Sequence, residues 1–247
     1  MTDAADGGPD LDWDEAVDVL CVGTGPGALA YGILCDAAGL EVLIVESGHL
    51  DPQTIEFRDA MIADLAGGPP EPGLALTRAE PVAVPSGWRD KLETFDGEQL
   101  RQWSARCFAS PFGVLLTEVP ALTAMRTDGG ESIVAGLVGG YRPDPEQPGP
   151  ALSRWLRERA AGLFAPEEDR LGGLVVVEGR IAGAVLDTTD GPRRIGTAAG
   201  LAIAVGPTPD VWPAQPELAG VNIEAAVVSR WAGRFARVEL LSVESRL

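Results

Sequence analysis

The residues of this chain that could do chemistry by type and spacing lie together in Val17 to Ser47, VDVLCVGTGPGALAYGILCDAAGLEVLIVES. Gly23, Gly25 and Ala28 occupy the three small-residue positions of a dinucleotide-binding fingerprint, with alanine as the variant at the third. Gly23 permits a sharp turn out of a strand. Gly25 lacks a side chain, so a pyrophosphate can come close to a helix N-terminus. Ala28 is small enough for the helix to pack tightly on its strand. Pro26 and Gly27 complete the turn, whose N–H groups and helix dipole would hold negative phosphates. Glu46 ends the next strand, at about the separation of 20 residues that the fingerprint asks for. A carboxylate there accepts hydrogen bonds from a ribose diol and repels a 2′-phosphate, which makes NADP the least favoured ligand; Ser47 follows it at the strand end.

These residues need a strand, a helix and a second strand to position them, and the sequence provides all three. Ala16 to Val22 reads as a strand, Pro26 to Ala38 as a helix and Glu41 to Val45 as the next strand. Further along, a helix is expected near Thr54 to Leu65. Another is capped by Asp96 with Gln99 three residues on, and carries Leu100, Trp103 and Cys107 on one face. Gly113 to Glu118 and Ser132 to Val138 are strand-like, and Ala151 to Phe164 is an amphipathic helix with Leu152, Trp155, Leu156, Ala160 and Leu163 at helical spacing. Four short strands then follow, Leu174 to Glu178, Arg180 to Asp187, Arg193 to Thr197 and Leu201 to Val205, mostly separated by Gly or Asp-Gly turns. Ala225 to Trp231 and Phe235 to Leu241 could close the chain as a hairpin. Loops rich in Gly and Pro fall at Ala66 to Gly73, Val138 to Pro150 and Val205 to Glu217.

In this pattern the chain resembles the flavin-binding half of the FAD-dependent oxidoreductases, specifically the fumarate reductase and ketosteroid dehydrogenase group. Val17 to Ser47 looks like their N-terminal FAD segment. Ala151 to Leu163 is similar to the helix before their three-stranded meander, and Gly173 to Gly206 resembles the meander and returning parallel strand. That strand ends in an Ala-Thr-Gly turn in the family and in Ala204-Val205-Gly206 here. The resemblance implies an α/β fold of the FAD/NAD(P)-binding, Rossmann-like type, with a parallel central sheet and a small β-meander. It implies FAD as cofactor, with Gly206 beside it, and hydride transfer to or from a small carbonyl or alkene substrate. Two departures stand against this. The family's Gly-Gly-Thr-type loop is replaced by SGHLDPQTIEF after Glu46, and no Gly-Asp dipeptide occurs in the sequence. A cap domain is also missing from the reading, which would leave a partner chain, in a hetero- or homo-oligomer, to supply it. The alternative is a diverged, non-catalytic relative that serves as a binding or partner subunit.

Composition narrows the rest. Nineteen basic against thirty-seven acidic residues give a net charge of −18, which repels nucleic acid and anionic membranes. With one histidine, His49, and one lysine, Lys91, a multi-histidine metal site is excluded and any Schiff-base lysine has a single candidate. Three widely spaced cysteines, Cys21, Cys35 and Cys107, suggest core thiols in a reducing, cytoplasmic setting. No targeting segment is visible, and the uncharged stretch Val19 to Cys35 is broken for membrane spanning by Gly23, Gly25, Pro26 and Gly27. Residues 1–14 read as an acidic flexible tail and residues 15–247 as one FAD/NAD-binding-type domain. Tyr31 reads as a packing residue. Tyr141, in a Gly-rich loop beside Arg142, is the tyrosine placed like a proton donor.

Overall fold

The computed structural model describes residues 12–47, 71–82, 97–117, 122–206, 208–221, 223–230 and 233–243. Its first elements follow the sequence closely. Strand β1 (Glu15–Val22) runs through the Gly-rich turn into helix α1 (Pro26–Ala37), and strand β2 (Val42–Ser47) returns parallel to β1 with Val22 opposite Val45. Helix α1 starts where Gly25 takes extended backbone and Pro26 sets the first helical φ, and the chain leaves it through Gly39 at φ +82°. Most of its faces are apolar and buried, because it lies between several strands rather than on one.

Beyond β2 the structure departs from the expected α/β domain. The remaining strands are β3 (Leu76–Pro81), β4 (Gly113–Leu116), β5 (Thr123–Thr127), β6 (Ser132–Tyr141), β7 (Arg170–Val177), β8 (Arg180–Thr188), β9 (Gly191–Ala204), β10 (Ile223–Ser229) and β11 (Phe235–Val243). Two more helices are described, α2 (Gly97–Ala109) and α3 (Pro148–Arg159). All the strands join one mixed sheet of eleven. Parallel pairing is limited to β1 with β2 and β9, β2 with β7, and β3 with β11, and every other pairing is antiparallel. The expected fold class, a Rossmann-like domain with a parallel central sheet, is therefore corrected to a mixed sheet with few helices. Part of the reason is in the connections: parallel neighbours need crossovers of a dozen residues or more, while β5–β6, β7–β8, β8–β9 and β10–β11 turn straight back as hairpins. One such turn is Glu178–Gly179, where both residues are left-handed and the β7–β8 hairpin closes.

The sheet closes on itself twice. Strands β1, β2, β7, β8 and β9 form one ring, and β3, β5, β6, β10 and β11 form another. Strand β4 bridges them, pairing with β9 on one side and β11 on the other. The two strands expected at Arg193–Thr197 and Leu201–Val205 are one continuous β9, which pairs with β8 at its start, β4 at its end and β1 throughout most of its length. The first ring is filled by Val17, Leu20, Val22, Val45, Leu171, Ala184, Leu186, Ile195 and Leu201. Past a register shift between Val17 and Val19, the other face of β1 presents Val19 and Cys21 to the α1 side. The large core there includes α1, α3, Phe112, β4 and alternate residues of β10 and β11. A third cluster, inside the second ring, is covered by Trp103 and Cys107 of α2.

Several expectations fall outside the described residues: His49, Lys91, Asp96 and the helix near Thr54 to Leu65. Strands β3 and β5 were not anticipated. The helix expected over Ala151 to Phe164 begins three residues earlier and gives way to a 3-10 turn at Ala161–Leu163. No helix among the described residues is long and apolar enough to cross a membrane.

Part of the stretch expected as a tail is fastened down. Trp13 lies across Gly183 and Gly196, which are directly paired in β8 and β9: a Cβ on either would come within 3.0 Å of the indole. Asp14 adds a backbone bond to the Arg194 carbonyl (3.0 Å) and accepts the Arg194 N–H on its carboxylate (2.8 Å). Trp13→Ala should cost about 1–2 kcal/mol, below the range for a fully buried tryptophan because Trp13 is only half-buried. Urea denaturation checks this; an unchanged midpoint would show that the indole is not holding the segment.

Candidate functional site

Three strand ends meet at the Gly-rich turn. The parallel registers place Val22 beside both Val45 of β2 and Ile203 of β9. Gly23 leaves β1 at φ +87°, a conformation glycine tolerates without strain, and its N–H donates to the Val45 carbonyl at 2.9 Å. That bond fixes the turn against β2, so Glu46, the next residue of β2, stands at the same sheet edge with an exposed side chain. The expected Gly23, Gly25, Pro26, Gly27, Ala28 and Glu46 are thus brought to one edge. Ser47 follows Glu46 and pairs with Leu171 through the backbone.

The electrostatics of this edge come from α1. Its first intrahelical bond runs from the Leu29 N–H to the Gly25 carbonyl (3.1 Å), which leaves the N–H groups of Gly27 and Ala28 without partners inside the helix. Pro26 has no N–H. No side chain caps the helix and no acidic residue sits in its first turn. An uncapped helix N-terminus suits an anion, and the backbone donors here are of the kind that could hold a diphosphate.

The glycines also have structural duties, including Gly25, whose missing side chain the sequence assigns to pyrophosphate approach. A Cβ on Gly25 would lie 2.9 Å from the Cβ of Ala204, and one on Gly23 3.2 Å from it. Both glycines therefore allow β9 to come close. Gly27 rests on the start of β4, where a Cβ would be 2.7 Å from the Phe112 carbonyl and 2.8 Å from that of Gly113. Ala28 is fully buried, and Gly32, one turn later, lies within tight packing distance of both Cys21 and Ile44. Gly206 is placed differently from the rest: a Cβ there would strike the Ser110 carbonyl at 2.0 Å and the Pro111 backbone at 2.7 Å. Its bare Cα serves the contact between the end of β9 and the loop before β4.

One neighbour of Glu46 has no sequence signal. Strand β2 pairs with β7 so that Glu46 lies opposite Arg170, and Arg170 in turn lies opposite Asp187 of β8. All three side chains are exposed. Among the described residues Arg170 makes no ion pair. Only the three-dimensional pairing of strands far apart in sequence puts this guanidinium beside the carboxylate.

The other candidate residues are interior. Cys21, Cys35 and Cys107 are free thiols and buried. Burial pushes the Cys35 thiol up to about 11, against a smaller lowering from its hydrogen bond with Tyr31. Burial also raises Cys21, with the nearby Cys35 adding to it. Cys107 is raised mainly by burial as well. Tyr141 is not in a loop but at the end of β6, paired with Ile223 and packed on Trp155 at a ring separation of 5.1 Å. Its hydroxyl is buried with no hydrogen-bond partner among the described residues, and burial, with Asp144 nearby, pushes its pKa up to about 12. Arg142 beside it is exposed.

A second polar cluster lies in the other ring. Arg237 and Glu239, each 4% exposed, pair side by side on β11 at 2.7 Å. Arg237 also reaches Glu71 at 2.8 Å, and Glu239 accepts the Thr77 hydroxyl. Trp103 has the guanidinium groups of Arg230, Arg237 and Arg106 at 5.2, 5.4 and 5.8 Å from its ring centroid. Each of these arginines has a carboxylate partner, so the cluster is an internally neutralised clamp holding α2 to β11. No group of three or more His, Cys, Asp and Glu side chains that could hold a metal ion occurs among the described residues.

No protein-family model matches the chain, and no curated protein does. Solved structures similar to it include the flavin-dependent brominase Bmp2, at 13% identity over 74% of this chain and 36% of that one, with a TM-score of 0.30. Another is the 3-ketosteroid-Δ4-(5α)-dehydrogenase of Rhodococcus jostii RHA1, at 18% identity over 78% of this chain and 46% of that one, TM-score 0.34. A third is the p-nitrophenol 4-monooxygenase PnpA of Pseudomonas putida DLL-E4, at 11% identity over 86% of this chain and 46% of that one, TM-score 0.28. The chain spans less than half the length of each of these proteins.

Two outcomes test this geometry. Gly25→Ala should destabilise the protein by about 1–3 kcal/mol through overpacking on Ala204, and Ala204→Gly in the same chain should return part of that loss. Additive effects of the two substitutions in urea denaturation would mean the contact is absent. Separately, the three thiols should resist a disulfide reagent at pH 8 in the folded protein and react on unfolding. The raised Cys35 pKa also fixes a sign: above the unfolded thiol value near 9 the unfolded chain gives up protons that the folded one keeps, so stability falls as pH rises from about 9 towards 11.

Proposed function

We propose that this chain binds an adenine dinucleotide, FAD, and belongs functionally with the flavin-dependent oxidoreductases. The observation that carries the reading is the register that sets the uncapped N-terminus of α1 next to Glu46 at a single sheet edge. The backbone N–H groups of Gly27 and Ala28 would take the diphosphate, Gly23 and Gly25 would keep the turn tight against Ala204, and Glu46 would accept the ribose hydroxyls. Gly206, which the resemblance sets beside the cofactor, rests on Ser110 and Pro111 and would act by holding the end of β9 in place. When bound, the flavin supplies hydride transfer to or from a small carbonyl- or alkene-bearing substrate.

A second reading, a protein that binds the dinucleotide without turning over, has its own support. Cys21, Cys35, Cys107 and Tyr141, the thiols and the phenol weighed as candidates from the sequence, are all buried and kept protonated by burial. A partner chain would then contribute the reacting groups.

The visible spectrum of the purified protein, followed by release and identification of bound nucleotide, tests the first reading. A yellow protein that yields FAD, or a colourless one that takes up added FAD, is expected. Gly25→Asp puts a carboxylate at the helix N-terminus and Glu46→Arg removes the ribose acceptor, and each should reduce FAD binding at least tenfold by fluorescence quenching. Binding unchanged in both variants would move the ligand elsewhere. A flavin that binds and is chemically reduced, yet is not reoxidised by enones or unsaturated dicarboxylates, would favour the second reading.

A further inference from the structure

Arg170 is a cation at the edge of an acidic molecule, and the strand pairing sets it between two carboxylates. Glu46 lies across from it on β2 and Asp187 across from it on β8. Directly paired residues share a face of the sheet, so the three form one row across β2, β7 and β8. The face is identified by the residues next to them. Ile44 of β2 packs in the core that holds α1, Val45 and Leu171 point into the first ring, and Glu46 and Arg170 alternate back to the α1 side. That is the side of the sheet on which α1 packs. The guanidinium is exposed and makes no ion pair among the described residues, although both carboxylates are in adjacent register.

From this we infer that Arg170 is a base-recognition residue: its planar guanidinium lies over the adenine ring of the nucleotide whose ribose Glu46 holds. This rests on the dinucleotide reading above and extends it from the phosphate and ribose to the base. The chemistry favours stacking over capture of a 2′-phosphate. A doubly charged phosphate placed at Arg170 would face Glu46 and Asp187 at the same time, and their combined charge exceeds that of the single arginine. A neutral purine face meets no such repulsion, while its π-electrons attract the cation. Arginine suits this more than lysine because its flat, weakly hydrated group stacks on a ring.

Calorimetric titration with ADP, CDP and 2′,5′-ADP separates the possibilities, using the full chain. ADP should bind the natural protein more tightly than CDP, which has a smaller base, and more tightly than 2′,5′-ADP. Arg170→Ala should weaken ADP by about two- to fivefold, the range of an exposed cation–π contact, and should reduce the preference for ADP over CDP. Arg170→Lys should behave like Arg170→Ala, because charge alone does not restore the planar contact. Thermal unfolding of the ligand-free variants should match that of the natural protein, since the side chain is exposed and makes no ion pair among the described residues. If ADP binds and Glu46→Arg abolishes it, but both Arg170 variants bind ADP as the natural protein does, the base-stacking role is overturned and the dinucleotide reading stands. If Lys restores full affinity, or if 2′,5′-ADP binds best and loses most in Arg170→Ala, the residue acts through charge and the stacking role is overturned. Failure of ADP to bind the natural protein at all would overturn both.

Discussion

Strand β9 has to satisfy three neighbours, and the rest of the molecule is arranged around that requirement. Its amides and carbonyls pair with β1 along one side; the other side is shared between β8 at its start and β4 at its end. Unpaired backbone groups in this buried position would each cost about 1–3 kcal/mol, so the register is strongly determined. Once β9 is fixed, Ala204 sits against Gly23 and Gly25, β4 is held under Gly27, and β1 and β2 end side by side. Strand β11 repeats the arrangement in the other ring, pairing with β10 along one side and with β4 and then β3 on the other. Sharing one long strand between two neighbours lets the sheet branch without leaving an open edge, a feature that exposes backbone groups to other chains.

This arrangement explains what the sequence disclosed and what it did not. The turn at Gly23 was readable because its cause is local: a glycine at positive φ, a proline at the first helical position and an apolar run on either side. The β7–β8–β9 meander was readable for the same reason, its turns being marked by Gly. The closing β10–β11 hairpin is local and follows the expectation from Ala225 to Leu241. The breadth of the sheet is not legible, because β3 joins β11 and β5, and β6 joins β10, by pairings that span large stretches of chain. Pairing β3 with β11, for instance, brings Leu76 beside Leu240. Short segments of mixed character such as Thr123–Thr127 carry no mark of which strand they will join. The β1–α1–β2 crossover carries a local signal and suggests a parallel central sheet, whereas β5–β6, β7–β8, β8–β9 and β10–β11 are hairpins. Tyr141 was misplaced by a related error: Gly139 and Gly140 suggested a loop, but Gly139, at φ +144°, lies within β6 where its register against β10 shifts.

The interior charges show a different limit on local reasoning. Arg237 and Glu239 occupy strand positions whose alternation would suit an exposed face, but that face lies inside the second ring. Burial by itself would lower the pKa of the Arg237 guanidinium; Glu239 and Glu71 outweigh it and raise the guanidinium above its ordinary value. Such a pair adds little net stability, yet removing either partner typically costs about 3–5 kcal/mol because the other is left charged and buried. The indole of Trp103, with its N–H on the Phe235 carbonyl at 2.8 Å, gives α2 a fixed seat on this cluster. The two rings are therefore built on different terms, one apolar throughout much of its interior and one carrying a clamped charge at the end covered by α2.

Charge also bears on the Gly-rich edge, where a net −18 argues at first sight against any anionic ligand. The distances limit that argument. At physiological ionic strength exposed charges are screened over about 8 Å, so only the groups around the edge act with full effect on a small ligand. Among the described residues those groups are the α1 terminus, equivalent to about half a positive charge, its N–H donors without partners inside the helix, Arg170, and the carboxylates of Glu46 and Asp187. A nucleic acid or an anionic membrane cannot confine its charge to such a patch and must meet the acidic surface as a whole. A diphosphate is small enough to sit on the helix terminus alone, held by hydrogen bonds at contact distance whose strength does not depend on the remote acids. A net negative surface thus weighs more against an extended polyanion than against a small one that meets only the donors of a helix terminus.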